Sequence, residues 1–388
     1  MGQDDAWHEE NRERVFWQEF SVPWRFPVIF TRNVFAPANN ALATVFQAAG
    51  PVPVLAIADS GVAEANDGLA DAVQAYASSH RNALRLLSPL HVLPGGEKCK
   101  NGAAQVDRLH RLFHKHKLCR HSVVLAIGGG AFLDMAGYAA ATAHRGLRLV
   151  RLPTTTLAQN DAGIGVKNGY NSFGRKNWVG TFAPPFAVIS DLNFLSTLPN
   201  RECRAGLAEA VKVAVIKDAG FFQLLSGQRK KLAALELEQM EEMIIRCAAL
   251  HLEHIASGDP FEQGSARPLD FGHWSAHALE EASGGEILHG EAVAMGMALD
   301  CLYAAEKGLL REEERDQIIH LLQDLGFRLS HPVLAELDLE GALDRFRQHL
   351  GGTLCITLPL GIGCRAEFHQ MDLEVLHSSR DRLMAHKG

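Results

Sequence analysis

The sequence contains no apolar run long enough to cross a bilayer, no Cys-x-x-Cys pair and no excess of basic charge. Each absence closes off a class of function. Without a spanning segment, the chain is expected to work away from the membrane. Its 45 acidic residues against 38 basic ones give a net charge of -7, so there is no positive field to draw in a nucleic-acid backbone. The one basic cluster, His110 to Lys117, interleaves apolar residues with its charges and reads as the solvated face of a helix. Seven scattered cysteines form no spaced framework, which predicts buried thiols in a reducing compartment rather than disulfides or a metal knuckle. Met1 to Arg14 is polar and acid-rich rather than basic then apolar, so no secretory leader is expected and the cytoplasm is the expected location.

What is present suits an enzyme. At 388 residues the chain exceeds what one compact core usually spans, which predicts two domains sharing a cleft. Short apolar, β-branched runs at Val52 to Ala58, Ser122 to Ile127, Arg148 to Leu152 and Ala187 to Ser190 alternate with amphipathic stretches. That alternation predicts βαβ units. After Asn200 the period lengthens, and Leu207 to Lys217, Leu235 to Ile255, His289 to Glu306 and Glu312 to Leu325 predict helices. The expected architecture is therefore a Rossmann-like α/β domain over residues 1–195 and an all-helical domain over residues 196–388, divided near Pro199.

The motifs lie in chain order. Val123 to Ile127 runs into Gly128-Gly129-Gly130 and then a helical stretch from Ala131. A strand, a glycine turn and a helix N-terminus place bare N–H groups where a pyrophosphate can sit, although a tight turn that needs glycine for its own sake reads the same. Pro153-Thr154-Thr155-Thr156 ends a strand at the sheet edge that customarily meets ligands. Asp161 to Asn177 is a glycine-rich loop with an acid, three cations and amide donors, suited to a phosphorylated, hydroxyl-rich ligand. Downstream, Glu209 and Lys212 share a face of an otherwise apolar helix, and a carboxylate buried there needs a cation or a metal. His273 and His277 share a second face, and His289 heads a third apolar helix. Glu209, His273 and His289 would leave one coordination position open, as catalytic zinc sites do, while His273 with His277 is an alternative chelating pair.

Taken together and in order, these motifs resemble the sugar phosphate cyclases typified by 3-dehydroquinate synthase. The resemblance runs from Asp59 and Pro94-Gly95-Gly96-Glu97-Lys98-Cys99-Lys100, through the triple glycine and Pro153-Thr154-Thr155, to Thr197-Leu198-Pro199-Asn200-Arg201-Glu202 and the two histidine motifs. It implies an NAD-binding α/β domain, a helical domain holding Zn2+ or Co2+, an active site between them and a homodimer. Glu209, His273 and His289 are similar to the metal ligands. Asp59, Glu97, Lys100, Gly129, Gly130, Ala131, Asp134, Thr154, Thr155, Leu157, Lys176, Phe194 and Thr197 match nucleotide contacts. Asp161, Lys167, Lys212 and His277 resemble catalytic residues. Asn177 and Arg267 resemble substrate contacts, and Arg145 is similar to an arginine that reaches phosphate across a dimer. The implied reaction is transient oxidation by NAD, phosphate elimination and intramolecular aldol closure of a seven-carbon sugar phosphate.

The departures bear on the substrate. Asp270 stands where the family usually has asparagine, and Arg267 is displaced by one residue. A lysine expected on the preceding helix falls near His251 or Leu252, and paired lysines near the C-terminus are replaced around Arg347-Gln348-His349. Fewer cations leave a substrate carboxylate poorly compensated in a buried site, which points toward a neutral-headed substrate such as sedoheptulose 7-phosphate, the substrate of valiolone-type synthases. Metal-dependent alcohol and glycerol dehydrogenases and a non-catalytic binding protein of the same fold are the competing readings. The first would release NADH, and the second has no reason to keep three ligands together.

Overall fold

The computed structural model describes residues 15–46, 50–261 and 268–385. Arg267 lies outside the described residues. The strands of the first half are β1 (Val28–Thr31), β2 (Val52–Asp59), β3 (Leu84–Leu86), β4 (His91–Leu93), β5 (Val123–Gly128), β6 (Arg148–Pro153), β7 (Lys167–Ser172), β8 (Arg175–Phe182) and β9 (Ala187–Asp191). Seven of them form a parallel sheet in the order β1-β9-β6-β5-β2-β3, with β4 taking over from β3 along the second half of β2. Helices α1 (Ser60–Ala65), α2 (Leu69–Ser79), α3 (Ala104–Lys115) and α4 (Gly130–Thr142) cover the sheet. The alternation along β2 is explicit. Val54, Ala56 and Ala58 pack with Val73 and Tyr76 of α2, whereas Leu55 and Ile57 pack with Leu109 of α3 and Phe132 of α4. Both faces are therefore apolar, as a parallel sheet requires. The basic cluster lies on and just beyond α3, which buries Val106, Leu109 and Phe113 and turns its charges outward.

The second half is built from α5 (Asn200–Lys217), α6 (Ala219–Ala233), α7 (Leu237–Ile255), α8 (His273–Ala282), α9 (His289–Glu306), α10 (Glu312–Asp324), α11 (Pro332–Ala335), α12 (Leu339–His349) and α13 (Leu373–Ala385). One large apolar core joins them, with α9 buried along most of its length at the centre. An antiparallel hairpin of β10 (Ile356–Gly361) and β11 (Cys364–Phe368), which the helical periodicity does not announce, packs beside α5.

Two expectations need correction. The Asp161 to Asn177 segment is not one loop: a single π turn (Ala158–Ala162) leads into the β7–β8 hairpin, whose corner residues Phe173 and Gly174 have φ of 52° and 70°. Paired left-handed residues make a hairpin turn that follows the strand twist, so the glycines there serve a sheet. Of the seven cysteines, Cys119 and Cys364 are exposed, the first in a loop after α3 and the second at the β10–β11 turn; the other five are buried, and all seven are free.

Candidate functional site

The C-terminal ends of β2, β5, β6 and β9 meet at one edge of the sheet, and the helical half lies over that edge. At the end of β5 the chain turns through Gly128 and Gly129 into α4. A β-carbon on Gly128 would lie 2.5 Å from Asp59 Oδ2 and 2.7 Å from the Phe132 ring, and one on Gly129 would lie 3.2 Å from Thr155. Only glycine lets three strand ends close up in this way. Asp59 ties the edge together: Oδ1 accepts from Val62 N–H at 2.8 Å, capping α1, and Oδ2 accepts from Gly129 N–H at 3.0 Å. The Thr154 N–H donates to Gly128 at 3.0 Å, and Thr155 Oγ1 accepts from Ala158 N–H at 3.2 Å. Gly130 and Ala131 open α4, and Leu157 leads into the π turn. On the turn Glu97–Lys100, the buried Lys100 pairs with Asp134 of α4 at 2.7 Å and contacts Asn177 of β8. Phe194 and Thr197 lie on the 3-10 turn after β9, where Thr197 Oγ1 accepts from Asn66 at 3.1 Å.

The helical half supplies charge. Glu209 and Lys212, one turn apart on α5, are in contact and almost wholly buried. Burial would raise the Glu209 carboxyl, but Lys212 and His289 outweigh it and bring it down to about 2. Neither Glu209 oxygen has a hydrogen bond of sound geometry. Instead, Oε1 faces His273 Nε2 at 3.7 Å and His289 Nε2 at 3.5 Å. These separations are too long for hydrogen bonds. Donors about 2.0 to 2.1 Å from one tetrahedral ion stand roughly 3.3 Å apart, so the three residues fit a divalent metal. His273 Nδ1 faces the Phe271 carbonyl at 3.2 Å, and donating there leaves Nε2 free to ligate. The alternative His273–His277 pair has ring centroids 5.7 Å apart, and His277 is not part of the ligand cluster.

The turn that aims His273 depends on Gly272, whose φ is 78° and whose β-carbon would lie 2.8 Å from Met297 N. Asp300 of α9 holds this turn by accepting from Gly272 N–H at 3.0 Å and the Trp274 indole at 2.9 Å. Glu280 Oε2, one turn of α8 beyond His277, lies 3.2 Å from His289 Nδ1. Sequence reasoning missed both acids. Glu280 follows His273 by seven residues and His277 by three, on the same helix face, and that spacing was the available signal. Asp300 is a lone acid in the apolar run of α9.

Asp161, on the π turn, lies 3.0 Å from His251 Nε2 on α7. Burial works against a charge on His251, yet Asp161 outweighs it and raises the imidazole to about 10, while Asp161 is lowered. The position where a lysine was expected thus still carries a cation. Lys167 opens β7 next to this turn. The buried Arg151 of β6 donates to the carbonyls of Gly163, Gly165 and Lys167 at 2.8 to 3.2 Å and to Asn168 Oδ1 at 2.6 Å, fixing the segment's path. His277 lies on the cleft side of α8, with the His289 and His349 rings 6.3 and 6.5 Å away. Its side chain is open to solvent at the cleft mouth, and the protein packed around it together with the neighbouring His289, His349 and Lys176 lowers its pKa. Lys176 reaches from β8 to Glu280 Oε1 at 2.7 Å. Arg145 lies apart, exposed on the turn Ala143–Arg145 at a φ of 62°.

Comparison with known proteins finds relatives in both sequence and fold. The family model for the 3-dehydroquinate synthase N-terminal region matches residues 90–205, and that for its C-terminal region matches residues 206–349. The 3-dehydroquinate synthase of Desulforamulus reducens is 37% identical over 273 residues, covering 70% of this chain and 76% of that one. The solved structure of 2-epi-5-epi-valiolone synthase from Streptomyces hygroscopicus subsp. jinggangensis, with NAD+ and Zn2+ bound, superposes with a TM-score of 0.85 at 31% identity, covering 95% of this chain and 99% of its own. A 2-deoxy-scyllo-inosose synthase complexed with carbaglucose-6-phosphate, NAD+ and Co2+ superposes with a TM-score of 0.73 at 26% identity, covering 92% and 96%.

Proposed function

This chain belongs to the 3-dehydroquinate synthase family of sugar phosphate cyclases, and we propose that it eliminates phosphate from a seven-carbon sugar phosphate and closes the product into a carbocycle. That would make it a carbon–oxygen lyase using NAD and a zinc or cobalt ion. The observation that carries the reading is the set of buried Glu209, buried His273 and half-buried His289, with Lys212 beside it and the Gly128–Gly130 turn at the facing sheet edge.

When bound, NAD and the metal would supply reversible hydride removal at a ring carbon and polarisation of the oxygen on it. The chain's own residues do the rest. Asp161, kept ionised by His251, is set to accept a hydrogen bond from a sugar hydroxyl. Lys212 balances Glu209 and brings an ammonium to the same side. Lys167 and Asn177, on the hairpin wall, are assigned to the departing phosphate, and His277 to a proton at the cleft. In the elimination, the carbon beside the oxidised one gives up a proton, its electron pair forms a double bond, and the C–O bond to phosphate breaks. With the hydride returned to the ring carbon, opening of the cyclic hemiketal frees an enol and unmasks a carbonyl, and the enol carbon attacks that carbonyl to form the new C–C bond as the enol proton passes to the carbonyl oxygen. The homodimer and the cytoplasmic location belong to this proposal, with Arg145 the residue to test at such an interface.

Between substrates, one observation favours sedoheptulose 7-phosphate over the heptulosonate. Asp270 adds to the negative charge that Glu209 and Asp161 already place on the buried Lys212, so that ammonium has less charge left to meet a further carboxylate on a substrate. Phosphate release from the purified protein, given NAD and zinc or cobalt and each sugar phosphate in turn, is the test. Release from sedoheptulose 7-phosphate alone is the expected outcome. Release only from the heptulosonate would make the protein a 3-dehydroquinate synthase with a rearranged carboxylate site. NADH accumulating in step with turnover would replace the cyclase by a dehydrogenase.

A further inference from the structure

Glu280 touches a residue of the candidate metal set directly, yet neither the motifs nor the reaction scheme above employs it. Its side chain is 6% exposed, and both oxygens are engaged by residues from different halves of the molecule. Oε2 lies 3.2 Å from His289 Nδ1, the nitrogen turned away from Glu209. Oε1 lies 2.7 Å from Lys176 Nζ, which comes from the β7–β8 hairpin, 104 positions earlier in the chain. Lys176 is also 3.9 Å from Glu97 of the sheet half, so the ammonium stands between an acid of each half.

We infer that Glu280 is a positioning residue for His289 and that Lys176 holds it from across the cleft, so that the hairpin helps to set the geometry of the metal site. The inference rests on the metal assignment proposed above. An imidazole offers two nitrogens, and a partner on Nδ1 fixes both which nitrogen faces the metal and the plane in which the ring lies. His289 sits at the first position of α9, and Glu280 meets the ring nitrogen that does not face Glu209. A buried carboxylate bound to one partner alone would be free to swing; a second, cationic partner on the other oxygen fixes the carboxylate plane, and through it the ring. Lys176 resembles a nucleotide contact by sequence. A residue shared in this way links the nucleotide side of the cleft to the metal side, and such linkage is reciprocal.

The test is zinc affinity, measured by competition with a chromogenic chelator on protein stripped of metal and free of nucleotide, so that a lost nucleotide contact cannot imitate the effect. Glu280→Gln is expected to weaken zinc about 10- to 100-fold, the usual consequence of losing a carboxylate behind a ligating histidine. Lys176→Met, at a partly exposed site that tolerates the change, is expected to weaken zinc about two- to fivefold. The double variant should be no worse than Glu280→Gln alone, because Lys176 acts through Glu280. Cobalt-loaded Glu280→Gln should also show an altered visible spectrum, which a loss of general stability would not produce. Wild-type zinc affinity in Glu280→Gln would overturn the positioning role. Additive losses would overturn the cross-cleft link, and so would a Lys176→Met protein that binds zinc like wild type, a result that stands even if Glu280→Gln fails to fold. A wild-type protein that takes up no zinc would sink the metal reading itself, a result plainly different from either.

Discussion

The sheet half and the helical half meet at one cleft but contribute to it in opposite currencies. On the sheet side the contacts are mostly backbone. Gly128, Gly129 and Thr154 are held by main-chain groups and by Asp59, whose two oxygens are both spent on N–H donors. On the helical side the backbone is closed within helices, and function falls to buried side chains: the charged Glu209, Lys212, His251 and Glu280, and the neutral imidazole of His273. A glycine turn fails when atoms are added to it. A buried charge cluster fails when any one charge is removed, because the partner left behind keeps its desolvation cost.

The comparison is broken most forcefully at Glu209. Glu209→Gln removes a ligand and leaves Lys212 buried without its counter-charge. Phosphate release should fall about 10^3-fold or more. Unfolding stability should drop by about 3 to 5 kcal/mol, as when one partner of a buried pair is lost. Elemental analysis, a phosphate assay and urea titration read the three effects; a variant retaining bound metal and activity would remove Glu209 from the site. Gly128→Ala is the counterpart on the sheet side. Its β-carbon meets Asp59 and Phe132, so NAD binding should weaken about 10- to 100-fold and stability fall by about 1 to 3 kcal/mol. Zinc content should stay at the wild-type level. Simultaneous loss of zinc would show that the halves are not separable in this way.

That division also explains what could be read from the sequence. The run Val52 to Ala58 became β2 (Val52–Asp59) and the periodicity of Leu235 to Ile255 became α7 (Leu237–Ile255), because continuous burial writes itself into local pattern. The glycine turn was legible for the same reason: three consecutive glycines after a strand have a local cause. The β7–β8 hairpin was not, since β8 is largely exposed and its polar, glycine-bearing residues mimic a loop. Glu280 and Asp300 remained hidden for a different reason. Each meets its partners from another helix or strand; Asp300 has no local mark at all, and for Glu280 the shared helix face with His277 says where it points but not that it lies behind a histidine. His251 was marked only as a missing lysine, and its charge became visible once α7 set it against Asp161.

Arg151 lies on the sheet side but acts by the helical half's rule, so it sharpens the contrast. Its planar fork serves three carbonyls and one side-chain amide, whereas lysine offers a single ammonium with three donors. Arg151→Lys should therefore leave part of the Gly163–Asn168 segment unheld. A tenfold fall in kcat/KM, about 1.4 kcal/mol, is expected, with zinc and NAD affinities close to wild type. A variant with unchanged kcat/KM would mean that the segment's path is set by the hairpin alone.

The smallest effect is a slope in pH. Burial raises the Asp300 carboxyl to about 7 despite its two N–H donors, against an ordinary value near 4. The folded state therefore holds a proton that the unfolded chain releases. The stability this contributes is fully present below about pH 4 and is lost as the pH rises through about 7. In metal-free protein, the stability of wild type relative to Asp300→Asn should fall by roughly 3 kcal/mol between pH 4.5 and pH 8, read by urea unfolding at fixed ionic strength. The subtraction cancels groups that titrate in both proteins, including the histidines. A difference that stays flat across this range would mean that Asp300 is ionised throughout. The Gly272 turn beneath His273 would then be held by a full charge, and the helical half would contain one more group that cannot be neutralised without disturbing the site.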